Sequence, residues 1–139
     1  MAERSNWNSK IIDEFHATEG KPGGYWAGKP LLLLTTTGAK SGQRHTTPTM
    51  YLPDGERLIV FASKGGAPTN PDWYTNLVAH PEVTVEVGNE TYEGIATVLN
   101  GDERDRLYAK HAGLYPAFAE YQAKTTRKIP VIALSRREG

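Results

Sequence analysis

The order of the β-forming runs constrains the fold most. Residues 30–36 (PLLLLTT), 46–52 (TTPTMYL) and 57–64 (RLIVFASK) follow one another with no helical segment between them. The first is a short apolar run and reads as a strand buried on both faces. The second carries Pro48 near its start, where a missing donor is tolerated. Pro53-Asp54-Gly55 turns the chain into the third, because proline presets one dihedral angle and glycine accepts a positive one. Further on, residues 83–87 (VTVEV) alternate strictly and Gly88-Asn89 returns them through 91–98 as a hairpin. Residues 129–134 (IPVIAL) form a last strand.

Helical segments fit around these strands. Trp7, Ile11, Ile12 and Phe15 have the spacing of a short amphipathic helix over residues 6–18. Gly20, Pro22, Gly23 and Gly24 then break it into a loop. Asn70-Pro71 has the pattern of a cap followed by a first helical position, with the helix stopping near His80-Pro81. Asn100 with Glu103 offers a capping box for a helix through Lys110 that Gly113 ends. Residues 115–121 add a further turn or two. Strands thus mostly follow strands, which disfavours a doubly wound sheet. The expectation is a mainly β, α+β fold: a small, largely antiparallel barrel with helices packed on its outside. Residues 1–139 read as one domain, in which 1–28 supply the N-terminal helix and loop.

Charge points to the kind of partner. The chain has 16 basic and 16 acidic residues, so its net charge is zero. Between Glu19 and Asp54, however, there is no carboxylate, while Lys21, Lys29, Lys40 and Arg44 all fall there. A neutral chain with one cationic segment suits a small anionic ligand better than a nucleic acid. With no cysteine, disulfides and thiolate chemistry are excluded. The N-terminus has no apolar signal region and the longest apolar run is four leucines, so a cytoplasmic protein without a transmembrane segment is expected.

Familiar catalytic sets are missing. His16, His45, His80 and His111 have no metal-ligand spacing, and there is neither a nucleophile elbow nor a P-loop. Any hard chemistry would belong to a bound cofactor. Two glycine elements are candidate anion cradles. In TTTGAKSGQRHTTP, Gly38 and Gly42 can turn backbone N–H groups toward one point, with Lys40, Ser41, Arg44 and His45 as further donors; a plain surface turn is the alternative. The second element, Ser63-Lys64-Gly65-Gly66, lies between a strand and a helix start, a suitable place for a phosphate. In the helix that follows, Trp73 and Leu77 should share a buried face, and Asn76 beside them needs partners for its carboxamide. Tyr115, Phe118 and Tyr121 are three apart and can line one wall, either packed on the barrel or open to a flat substrate.

The segments LLLLTTTGAKSGQ, VFASKGGAPTNPDWYTNL and HPEVTVEVG together resemble the deazaflavin-dependent nitroreductase (quinone reductase) family, over residues 30–130. The resemblance implies a split β-barrel of the flavin reductase type that binds coenzyme F-420, an 8-hydroxy-5-deazaflavin with a phosphate and a glutamate tail. It implies hydride transfer from the reduced cofactor to a quinone, activated enone or nitroaromatic acceptor. FMN on the same barrel, or a non-catalytic carrier, are the alternatives, and a homodimer is compatible with barrels of this type. By the same resemblance Lys40 and Ser41 match residues that hold phosphate and tail, and Ser63, Lys64, Gly65 and Gly66 match the loop beside the ring. Trp73 and Asn76 match the helix closing the groove, and Tyr115, Phe118 and Tyr121 match the wall over the substrate. For the proton that accompanies the hydride, Tyr115, Tyr121 and water are the candidate donors. Where the family often has arginine three residues after the second loop glycine, this chain has His45, with Arg44 one earlier. Adjacent strand residues face opposite ways, so only one of the two is expected to complete the site.

Overall fold

The computed structural model describes residues 6–20 and 30–137. Its elements run α1 (Asn6–Ala17), β1 (Leu31–Thr37), β2 (Arg44–Asp54), β3 (Arg57–Phe61), α2 (Asp72–Ala79), β4 (Glu82–Val87), β5 (Glu90–Leu99), α3 (Gly101–Leu114), α4 (Ala117–Lys124) and β6 (Val131–Arg136). Six strands close into a barrel in the order β1-β2-β3-β6-β5-β4, and every pairing is antiparallel. This is the antiparallel barrel with external helices that the strand order predicts. No helix among the described residues is long and apolar enough to cross a membrane.

Alternation along β1 sorts the four leucines into two cores. Leu32 and Leu34 join Val60, Val83, Val85, Ile132 and Leu134 inside the barrel, where Trp73 and Leu77 of α2 close one end. Leu31 and Leu33 face the other way, onto Ile11, Ile12 and Phe15 of α1. All four are at most 2% exposed, so both faces of β1 are covered. Burying each contributes roughly 1.5–3 kcal/mol. On the far side, Ile59, Phe61, Val131 and Ala133 carry Leu107 and Tyr108 of α3 and Phe118 of α4. The side chain of Trp7, and Lys21 and Lys29, lie outside the described residues.

Several local signals resolve differently from expectation. Pro53 and Asp54 belong to β2, and the two-residue turn is Gly55-Glu56, with Asp54 opposite Arg57. The third strand ends at Phe61, and a 3-10 turn occupies Lys64–Gly66. Asn70 does not cap α2; Pro71 stands at that position without a side-chain bond, because the Asn70 Oδ1 accepts from Arg127 Nη1 at 2.7 Å instead. A guanidinium donor is the stronger partner. Asn100 has the extended cap conformation but no capping bond, and Glu103 pairs with Arg57 rather than reaching back. Gly113 does not stop α3, which continues to Leu114.

The last turn of α3 places His111 beneath Phe61. Its ring is fully buried, and both nitrogens lack a hydrogen-bond partner among the described residues. Leaving a buried donor or acceptor unpaired costs about 1–3 kcal/mol. Burial lowers its pKa from 6.5 to about 4. The unfolded chain therefore takes up this proton at a higher pH than the folded one, so stability falls as pH drops through the window between those values, by up to ~3 kcal/mol. In urea unfolding, the midpoint of the parent is expected to fall between pH 6.5 and 4, and His111→Leu is expected to remove that part of the dependence.

Candidate active site

A cleft of about 530 Å³ opens between β2, the end of β3 and the corner joining α3 to α4. That size suits a small organic ligand. The cleft exists because β2 changes partners along its length. Arg44–Met50 pair with β1, and Tyr51–Asp54 pair with β3, so among the described residues no strand continues along the second edge of the first half. The Tyr51 N–H donates to Pro30 O, at 3.2 Å, which fixes the phase of the strand. Backbone groups alternate between edges in an antiparallel strand, so those of Thr46, Pro48 and Met50 face the unpaired side. Pro48 sits mid-strand rather than near its start; the missing N–H falls on the edge where no ladder bond is required. Pro48 and Met50 both line the cleft.

The opposite wall is aromatic. Tyr115, Phe118 and Tyr121 all line the cleft, as the three-residue spacing predicts, although Tyr115 stands at the corner before α4 rather than within it. The Phe118 and Tyr121 rings meet edge to face at 5.1 Å, and the Tyr108 hydroxyl donates to Phe118 O at 2.6 Å, anchoring the start of α4. Phe61, Ser63, Lys64 and Trp73 complete the lining. Ser63 is buried and Lys64 is exposed, its ammonium 3.3 Å from Thr69 Oγ1.

The Ser63–Gly66 turn rests directly on this wall. A Cβ on Gly66 would stand 2.8 Å from Tyr121 O and 3.0 Å from Tyr121 Cα, and the residue has φ +84°. Only glycine permits both the contact and the dihedral angle. Lys64 also has a positive φ, 47°, and Gly65 lies between the two in the same turn. Arg127 fastens the turn from behind. Its guanidinium donates to Ala67 O (2.9 Å), Ala62 O (3.1 Å), Ser63 O (2.8 Å) and Asn70 Oδ1 (2.7 Å). Burial lowers the Arg127 pKa below the ordinary arginine value. A second clip holds Arg127 itself: Gln122 Nε2 donates to Arg127 O, while Gln122 Oε1 accepts from Ile129 N and from the buried Arg104. Sequence reading missed Arg127 and Arg104, since a basic residue in a connection carries no pattern that announces distant carbonyl partners.

The TTTGAKSGQ loop lies beyond the cleft, at the start of β2. Gly38 N–H donates to Gln43 O (2.7 Å) and Gly42 N–H to Gly38 O (3.0 Å), so both close the turn. They are not free to converge on a ligand as the spacing suggests. Asn76, buried at 9% exposure, is equally committed: its Oδ1 accepts from Ala39 N at 3.0 Å and its Nδ2 donates to Thr36 Oγ1 at 3.2 Å. It braces the loop from inside the barrel and does not line the cleft. Lys40 and Ser41 form the exposed tip. Ser41 Oγ accepts from Gln43 N (3.1 Å) and retains its own proton to donate.

Arg44 and His45 separate as adjacent strand residues must. Arg44 turns away toward β4, donating to Thr37 Oγ1 at 2.9 Å and to Thr84 Oγ1, which in turn donates to Glu93. His45 stays with the loop, its Nε2 only 3.3 Å from where a Cβ on Gly38 would stand. Two residues further along β2, Thr47 begins the cleft lining, at most ~7 Å away at a strand's rise per residue. Loop tip, His45 and cleft thus follow one strand, a layout that fits a flat ring with an anionic tail. Among the described residues, no group of histidines and carboxylates could hold a metal ion.

Comparison with known proteins identifies the family and the fold. Residues 7–136 match the family of F420H(2)-dependent quinone reductases. An F420H(2)-dependent quinone reductase of Mycobacterium tuberculosis is 39% identical over 130 residues, covering 88% of this chain and 85% of the relative. The solved structure of an F420-H2 dependent reductase superposes with a TM-score of 0.70 at 41% identity, over 76% of this chain and 94% of the other. A domain-swapped dimer superposes with a TM-score of 0.73 at 38% identity, over 91% and 93%. With the matched region running from α1 to the end of β6, the chain belongs to the F420H(2)-dependent quinone reductase family.

Proposed function

We propose that the protein binds coenzyme F-420 along β2 and reduces a quinone held in the cleft. The observation that carries this is the layout along β2: an exposed cationic loop tip precedes a strand whose residues 47–50 line a cleft faced by an aromatic wall. When bound, the reduced deazaflavin supplies a hydride. Lys40 and Ser41 hold phosphate and tail, with Gly42 shaping the tip and His45, not Arg44, next along the strand. The Thr46–Met50 edge and the Ser63–Gly66 turn orient the ring, Lys64 adds a positive charge at the rim, and Trp73 closes the base. Asn76 acts at one remove, by bracing the loop.

Tyr115, Phe118 and Tyr121 stack the acceptor and exclude water from it. A quinone that accepts a hydride also needs a proton, and Tyr115 or Tyr121 donates it from its phenol. The protein's contribution is orientation, which requires no charged catalytic dyad. Two copies of the chain associate in this reading, in keeping with the relative that is a domain-swapped dimer.

Titrating purified protein with F-420 and with FMN, followed by a single turnover with menadione, tests the assignment. Tight F-420 binding, weaker FMN binding and reoxidation of the reduced deazaflavin are expected; binding without reoxidation would make the protein a carrier. Lys40→Ala is expected to raise the F-420 dissociation constant about tenfold, the loss of one charge-assisted hydrogen bond. Arg44→Ala is expected to change it less than twofold, as read by fluorescence quenching. Replacing Tyr115 and Tyr121 together by phenylalanine should lower turnover by about 100-fold or more with F-420 binding preserved. Unchanged turnover would assign proton delivery to water.

A further inference from the structure

We infer that His111 is a positioning residue for the acceptor, a small flat wedge that sets the planes of the Phe118 and Tyr115 rings. The inference rests on the reading that the acceptor occupies the cleft. His111 stacks on Phe61 at 4.1 Å with 13° between the planes. Phe118 meets it edge to face at 4.4 Å and 75°, and Tyr115 lies 5.0 Å away at 50°. Each of these three neighbours also lines the cleft, whereas His111 does not. The imidazole is therefore one ring removed from the acceptor, and the wall takes its shape from what fills that place.

Packing for stability would not choose this residue. Both ring nitrogens are buried without a partner, and they are the only such side-chain atoms among the described residues. An apolar side chain would spare the fold that penalty. What leucine lacks is a flat face for Phe61 to stack on, and what phenylalanine lacks is room, since a six-membered ring overfills a site with neighbours at 4.1 and 4.4 Å. Among the described residues, no charge helps to hold the ring. Phe61 faces it from β3, Phe118 from α4 and Tyr115 from the corner, and Tyr108 one turn earlier on α3 has its hydroxyl committed to Phe118 O. Burial alone depresses its pKa, so the wedge is uncharged at neutral pH.

The test compares the parent with His111→Leu and His111→Phe in three measurements. Thermal melting at pH 7 reports the fold, F-420 fluorescence reports cofactor affinity, and quenching of tryptophan fluorescence by menadione reports acceptor affinity on cofactor-free protein. In His111→Leu the melting temperature should equal or exceed that of the parent. F-420 affinity should stay within twofold in both variants, while menadione affinity falls about tenfold in each and the steady-state KM for menadione rises in parallel. Parental menadione affinity and KM in either folded variant would overturn the role of His111. A general loss in which F-420 affinity falls equally would also overturn it, by making the residue merely structural. Failure of the parent to bind F-420 while still binding menadione would instead remove the functional reading.

Discussion

Strand β2 trades one partner for another between Met50 and Tyr51, and the rest of the molecule is arranged around that exchange. A barrel closed by continuous pairing on both edges of every strand would have no place for a ligand at its wall. Among the described residues each half of β2 pairs with one strand only, and both of its prolines fall at positions whose backbone faces away from that partner. The missing donors thus cost no ladder bonds. Among the described residues no strand pairs with the second edge of the first half, and its residues 47–50 form one side of the cleft.

The opposite side has to be held at a fixed distance by elements that are not part of the sheet. Arg104, Gln122 and Arg127 do this through one connected set of hydrogen bonds linking α3, α4, Ile129 just before β6 and the Ala62–Asn70 segment. Gly66 then lets the turn touch the backbone of Tyr121, so the turn packs directly against the aromatic wall. Arg127 gives hydrogen bonds to the carbonyls of Ala62, Ser63 and Ala67, tying the segment after β3 to one cation.

Much of the barrel was legible because its signals are local. Alternation in VTVEV, the Gly88-Asn89 turn and the apolar PLLLL run each depend on neighbours within a few residues. The aromatic wall was legible for the same reason: Tyr115, Phe118 and Tyr121 are three apart, and the chain there stays close enough to helical for them to converge. The caps failed because a cap is a competition. Asn70 and Glu103 had the right spacing, but guanidinium groups at Arg127 and Arg57, 57 and 46 residues away, were stronger partners. Asn76 was recognisable as a carboxamide in need of partners, yet nothing local could say that it would brace a loop 37 residues earlier.

The sequence by itself determined the strand order, the hairpin between β4 and β5, the acid-free segment and the residues that meet at the wall. These follow from side-chain period, turn chemistry and charge, which act over short stretches of chain. Tertiary structure alone decided that β2 would leave an edge open, that Arg44 would turn to Thr84 and leave His45 beside the loop, and that His111 would sit unpaired behind the aromatic rings. Each of those outcomes depends on the register between strands far apart in sequence, and a one-residue change in register sends a side chain to the other face.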